Sequence, residues 1–307
     1  MKFEYLPPKK TFLDPLRDGI KRPQDARAVI IPFGLEASVS YGSGTKAGPK
    51  AILEASHQLE LFDEEFWREP YLDYGIACLK PPKIKAGVEA ALDQLEGIVS
   101  ALLDAEKFPF VLGGEHSLTA AAIRPFIARD PDLVVLQLDA HADLRDGYMG
   151  ERYSHAAAMR RVLEQLDGPG VKLVQVGIRG LCQAEATFYE ANRQRIDMHL
   201  GIDQARWDID KIIAPLKGRP VYITVDIDAL DSAIMPATGT PVPGGLSYLL
   251  ALEILRRASA AGRVVGADLV EFAPIKGLHA YDYMAAALAY KMLNYALASR
   301  AEKTLQS

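Results

Sequence analysis

Leu133-Val-Val-Leu-Gln-Leu-Asp139-Ala-His141-Ala-Asp143 places an apolar run directly before three metal-competent side chains. The run lacks the apolar/polar alternation of a half-exposed strand, so it reads as a strand buried on both faces. Such strands belong to parallel sheets covered by helices. Working outward, similar runs occur at residues 28–33, 109–112, 172–178, 221–225 and 264–270, with weaker ones at 196–199 and near 71–74. Helical patterns separate them, at 49–61, 84–106, 118–128, 155–166, 183–193, 247–261 and 281–297. Pro49 suits a first helical position and Ser247 suits an N-cap. Strand and helix alternate without a Ser- or Pro-rich linker or a repeat. The expectation is an α/β fold of three layers, with a mainly parallel sheet of about eight strands between helices. Residues 1–27 are expected to form an N-terminal arm over the surface and residues 28–307 one domain.

Composition narrows the function classes. The 307 residues are 49% hydrophobic and 24% charged, with a formal net charge of -5. That balance suits a globular protein with a full core. No basic stripe with interleaved aromatics suggests nucleic acid. No apolar run approaches the ~18 residues of a membrane span, and Met1 to Lys10 lacks the apolar segment of a signal peptide. Cys78 and Cys182 sit among apolar neighbours and read as reduced thiols. A cytoplasmic location follows as the expectation.

In a doubly wound sheet, ligands bind beyond the carboxyl ends of the strands, and three polar clusters stand there. The first is Gly113-Gly-Glu-His116-Ser117, where two glycines leave room for a turn and His116 opens a helix. Taken alone, His116 serves equally well as a helix-start residue bonded to the backbone. The second is Asp139, His141 and Asp143. Were the strand geometry to persist, all three would project to one side, a costly placement unless something binds them. The third is Asp226-Ile-Asp228, two carboxylates after another strand. Their repulsion would hold one of them neutral unless a shared cation relieved it. Together the clusters offer two imidazoles and four carboxylates, more than one ion uses. Two divalent ions bridged by carboxylates would balance the four charges. Oxygen-rich ligation with some imidazole and no thiolate favours Mn²⁺ over structural zinc.

Gly113-Gly-Glu-His-Ser, Asp139-Ala-His-Ala-Asp143, and Asp226-Ile-Asp228 with the following Thr238-Gly-Thr-Pro-Val-Pro-Gly-Gly245 resemble the ureohydrolases, the arginase/agmatinase family. Ser40 to Pro49 resembles its N-terminal substrate-side loop and Gly266 to Glu271 its last strand, so the likeness spans nearly the whole chain. It implies an arginase-like fold, two Mn²⁺ per subunit, and hydrolysis of a guanidinium group to urea and an amine. By motif, His116, Asp139, Asp143 and Asp226 would hold one ion. Asp139, His141, Asp226 and Asp228 would hold the other, with Asp139 and Asp226 bridging. The resemblance also implies catalytic roles. Asp143 would pass a proton to the leaving amine, Glu271 would receive the guanidinium, and His155 would shuttle protons or orient substrate. Read without the resemblance, Glu271 is an ordinary strand-end acid and His155 a helix-start histidine. His57, His199 and His279 lie outside the motifs.

Four positions depart from the family pattern. Glu115 stands where Asp is frequent, Ala156 where Gly follows the histidine, Ser232 where Pro follows Asp231, and Ala237 where Gly follows Pro236. They leave every ligand in place and bear on loop shape. The span from Asp143 to His155 lacks the Asn/Ser pattern with which arginases grip an amino-acid carboxylate, and resembles agmatinases. Asp146 and Glu151 could favour the distal ammonium of agmatine. Arg145 and Arg152 balance them, and a self-paired solvated loop is an equal alternative. The expected substrate is a small cationic guanidino compound, agmatine first, with aminopropylagmatine, guanidinobutyrate and guanidine as alternatives. A non-catalytic binding subunit is the alternative of another class. The family likeness implies a homo-oligomer, trimer or hexamer.

Overall fold

Eight strands carry the molecule. In the computed structural model, which describes residues 3–13 and 22–298, they are β1 (Ala28–Phe33), β2 (Ile76–Cys78), β3 (Phe108–Gly113), β4 (Val134–Leu138), β5 (Leu173–Ile178), β6 (Ile196–Leu200), β7 (Pro220–Asp226) and β8 (Arg263–Val270). They form one sheet in the order β2-β1-β3-β8-β7-β4-β5-β6. Every pairing is parallel. The inner strands β1, β3, β4 and β5 are buried at every position. That burial explains their unbroken apolar runs.

Among the described residues ten α-helices flank the sheet: α1 (Gly48–Ser56), α2 (Tyr71–Tyr74), α3 (Val88–Asp104), α4 (Thr119–Ala122), α5 (Arg124–Ile127), α6 (Ala158–Gln165), α7 (Gln183–Ala191), α8 (Ile209–Ile213), α9 (Tyr248–Ala261) and α10 (His279–Leu297). Successive strand side chains point to opposite faces, which divides the core in two. Ala28 and Ile30 join a cluster with residues of α1, α2, α8, α9 and α10. Val29 and Ile31 join a second with residues of α3, α4, α5 and α6. The three-layer expectation holds. Ser247 caps α9 as predicted, its hydroxyl accepting from Leu250 N–H at 3.2 Å.

Two expectations need correction, and one helix was not expected. Residues 71–74 form a helical turn. Tyr71 and Tyr74 are both buried, a spacing of three that suits a helix, and Gly75 at φ 62° ends it. The eighth strand is the next run, β2. The helix expected over 118–128 is broken into α4 and α5, where Pro125 withholds a backbone donor. α8 was not foreseen, and at five residues it is too short to show a period. The weak signal of β6 has a cause, since it is an edge strand with only Ile196 fully buried.

Before β1, the chain runs beside the other edge. Leu6 N–H donates to Cys78 O, Lys80 N–H donates to Glu4 O, and Tyr5 pairs antiparallel with Leu79. Phe12 and Leu13 are buried in the first core cluster. Residues 14–21 of the expected arm lie outside the described residues. Cys78 and Cys182 are free thiols. Among the described residues no helix is long and apolar enough to cross a membrane.

Candidate metal centre and active-site cleft

β3 and β4 are consecutive in sequence among the central strands, yet β8 and β7 lie between them. The ends of these four strands meet at one place. β3 delivers His116, β4 delivers Asp139, His141 and Asp143, β7 delivers Asp226 and Asp228, and β8 delivers Glu271.

The six predicted ligands converge. His116 Nδ1 stands 3.1 Å from Asp139 Oδ2, 3.0 Å from Asp143 Oδ2 and 3.4 Å from Asp226 Oδ2. His141 Nδ1 stands 3.0 Å from Asp228 Oδ2 and 3.8 Å from Asp139 Oδ1. Two groups could each hold an ion: His116, Asp139 and Asp143, and Asp139, His141 and Asp228. Asp139 belongs to both. The spacing by two does not arise from continued strands. β4 ends at Leu138, and Asp143 turns back with φ 52°. Asp139 Oδ1 accepts from His141 N–H at 2.6 Å, and Asp226 Oδ1 accepts from Asp228 N–H at 3.0 Å. Each acid therefore closes a tight turn just past its strand.

The local sequence makes room for this. A side chain on Gly114 would meet Leu35 O at 1.9 Å, so β3 can only leave the sheet here beside a bare backbone. Neither Gly113 nor Gly114 has a positive φ, so close approach is the reason for the pair. Gly180, after β5, lies under the His141 ring; a Cβ there would stand 2.6 Å from Cδ2.

The donor set fits cations. His116 Nδ1 is buried and finds no hydrogen-bond partner, although three carboxylates surround it. Its Nε2 lies 2.9 Å from Thr224 Oγ1. Thr224 donates its proton to Asp268 Oδ1 at 2.6 Å, so its oxygen accepts from Nε2–H. That leaves the Nδ1 lone pair facing the acids, as a metal ligand requires. Burial, then repulsion from Asp228 and Asp143, lifts Asp139 to about 7. Burial, then Asp228 and Asp139, lifts Asp226 well above the carboxylate range. For His141 burial works downward, but contact with Asp228 prevails and raises it to about 10. A cluster this acidic must be balanced by protons or by cations.

A cleft of about 260 Å³ opens over the cluster, lined by His141, Asp143, Asp226, Asp228, His155 and Glu271 among others. Glu271 takes φ 60° past β8, and its Oε1 accepts from His116 N–H at 2.7 Å. Burial pushes its carboxyl up to about 8. His155 is held by two serines, with Nδ1 2.8 Å from Ser38 Oγ and Nε2 2.8 Å from Ser40 Oγ. Tyr148 meets it edge-on at 5.8 Å, and burial lowers its pKa. From the loop after Asp143, Arg145 and Tyr148 line the cleft. Asp146 turns instead to Arg161 at 2.7 Å, with Arg152 and Arg160 nearby. Glu151 pairs through its backbone with Tyr148. Asp146 is thus paired mainly with α6 and not within its own loop, and Arg145, expected to balance it, lies toward Glu185 at 3.8 Å.

A family model described as the arginase family matches residues 26–296. The chain belongs to the arginase family of ureohydrolases. This arginase-family chain is 36% identical to the N(1)-aminopropylagmatine ureohydrolase of Synechocystis sp. over 93% of its length and 94% of the relative. It is also 36% identical to the agmatinase of Bacillus cereus, over 82% and 85%. Among solved structures, the agmatine ureohydrolase of Thermoplasma volcanium superposes with a TM-score of 0.81 at 32% identity, covering 91% of this chain and 92% of that one.

Several polar partners of the site were not singled out from sequence. Gln137 donates to Asp139 Oδ2 at 2.6 Å and is itself held by Gln175. Thr224 and Asp268 hold His116 as described, and Arg179 donates to Asp228 O at 2.7 Å. The available signal was a polar residue inside a buried apolar run, which costs free energy unless it is paired.

Proposed function

We propose that this ureohydrolase cleaves a guanidino group of agmatine, giving putrescine and urea, with two Mn²⁺ per subunit. The observation that carries the metal is the buried, unpartnered His116 Nδ1 among Asp139, Asp143 and Asp226. His116, Asp139, Asp143 and Asp226 would hold one ion, and Asp139, His141, Asp226 and Asp228 the other. When bound, such a pair supplies a strong hydroxide nucleophile at neutral pH.

The chain's own groups do the rest. A guanidinium is a planar cation with forked donors; its arrival beside Glu271 on the cleft wall would offset the burial that raises this acid and favour the carboxylate that accepts those donors. Orienting it there sets its central carbon toward the cluster. Departure of the amine needs a proton, and Asp143 would relay to it the proton given up by the attacking water-derived nucleophile. His155, half-buried and with its pKa lowered by burial, exchanges protons between the cleft and solvent. Ser38 and Ser40 fix its ring so that this exchange needs no rearrangement of the backbone.

The amine tail is read from the relatives, one named for agmatine and one for aminopropylagmatine at equal identity. Aminopropylagmatine is therefore the second reading. We further propose that residues 28–307 form the catalytic unit with residues 1–27 as an arm, that the chain is cytoplasmic, and that it assembles as a homotrimer or hexamer. Urea release with Mn²⁺ across agmatine, aminopropylagmatine, guanidinobutyrate and guanidine tests the function. Agmatine should give the highest kcat/KM. Turnover of guanidinobutyrate without agmatine would sink that choice. No urea from any compound, in protein shown to carry two ions, would sink the enzyme and leave a binding subunit.

A further inference from the structure

The Asp268–Thr224–His116 chain has a counterpart at His155 in which no candidate metal ligand is the acceptor. Glu115 is fully buried. Its Oε2 accepts from the backbone N–H groups of Ala37 and Ser38. Its Oε1 accepts from the Ser117 hydroxyl at 2.6 Å and from the Ser38 hydroxyl at 3.1 Å. Four donors converge on this side chain, so it acts there only as an acceptor.

A hydroxyl has one proton. Were Ser38 to give it to His155, two acceptor oxygens would face each other at 3.1 Å in a half-buried place, an unfavourable contact. Directed to the carboxylate, the bond is charge-assisted. The Ser38 oxygen then faces His155 as an acceptor, taking the backbone N–H at 3.0 Å and Nδ1 at 2.8 Å. Nδ1 must carry a hydrogen. A neutral imidazole carries only one, so Nε2 holds the lone pair and accepts from Ser40 Oγ–H at 2.8 Å. Ser40 lines the cleft.

We propose that Glu115, acting through Ser38, is a positioning residue that holds His155 in the Nδ1–H tautomer and presents Nε2 to the cleft as a proton acceptor. The use made of that nitrogen rests on the hydrolytic function proposed above; the tautomer does not. The two carboxylate–hydroxyl–imidazole chains thus do opposite things. At His116 the lone pair sits on Nδ1, toward the acids. At His155 it sits on Nε2, toward the substrate side.

Glu115→Gln makes the idea sharp. The two backbone donors fix the amide oxygen at the Oε2 position, which turns the NH₂ toward Ser38. Ser38 becomes an acceptor there and directs its proton to His155 Nδ1. The tautomer reverses. The test is a ¹⁵N–¹H long-range correlation spectrum of the full chain loaded with a diamagnetic divalent cation, His155 being assigned by its loss in His155→Gln. The unsubstituted protein should show the protonated nitrogen at Nδ1, Glu115→Gln at Nε2, and Glu115→Asp at Nδ1 again. In parallel, kcat of Glu115→Gln should fall about 10- to 100-fold with KM within about twofold. Protonation at Nε2 in the unsubstituted protein overturns the proposal, even should the variants fail to fold. So does Nδ1–H persisting in Glu115→Gln. A Nδ1–H signal in a protein that releases no urea would leave the positioning intact and remove the hydrolytic function instead.

Discussion

Thr224 never touches the acids of the cluster, yet it decides which nitrogen of His116 faces them. Thr224→Val keeps the volume and removes the acceptor for Nε2–H. Metal affinity should fall about 10- to 100-fold, read by titration calorimetry; an unchanged affinity would refute the role. Gly180→Ala forces a Cβ to within 2.6 Å of the His141 ring. It should cost one ion of the two, the one held by His141, seen as metal content dropping by half. Asp228→Ala should lose metal and activity together. At this scale the residues that converge in the cluster were legible as candidates, because carboxylates and imidazoles after apolar runs have few cheap alternatives. How they reach the cluster was not. Two-residue spacing reads as continued strand, whereas here it reflects turns closed by the acids themselves. Polar helpers such as Gln137 looked like exceptions within a strand, since a sequence does not display their partners.

Arg179 binds elements together. Its guanidinium donates to the carbonyls of Gly177, Asp228, Val242 and Pro243. It ties the end of β5 to the turn after β7 and to the loop before α9. Arg179→Met should lower stability by roughly 2–3 kcal/mol, the range for hydrogen bonds to a charged group, measured by denaturant unfolding. Removal of the Ser247 cap as Ser247→Ala should cost about 1 kcal/mol in the same measurement. Strands buried on both faces were legible from their apolar runs, and α9 from its cap. Of the edge elements, β6 gave only a weak signal because it is half-exposed, and β2 gave none because three residues are too few to show a run. At Tyr71–Tyr74 aromatic residues resembled a strand while their spacing of three served a turn.

Across the whole molecule, two anchors stand apart. One is the candidate metal centre. Ions that bind only the folded chain stabilise it by ~2.7 kcal/mol at a hundredfold excess over Kd, so chelation should lower Tm by a few degrees. The other joins α10 to the segment before α2. Lys291 Nζ lies 2.9 Å from the buried Asp63 and 3.0 Å from Glu64, and Asn294 donates to the other Asp63 oxygen. Lys291→Met would strand the Asp63 charge, and about 3–5 kcal/mol of stability should go with it. The one-domain α/β organisation was legible from alternation alone, but strand order was not, since similar apolar runs can neighbour one another in several ways.

That order bears on how the protein is made. The strands emerge from the ribosome as β3, then β4, while β7 and β8, which separate them, are among the last. A nascent chain therefore holds an open seam in its middle until nearly the whole polypeptide is out. The four strand ends that carry the candidate cluster and Glu271 come together only when that seam is filled. On the proposed function, in refolding followed with a metal-sensitive dye, metal uptake should trail the recovery of sheet structure.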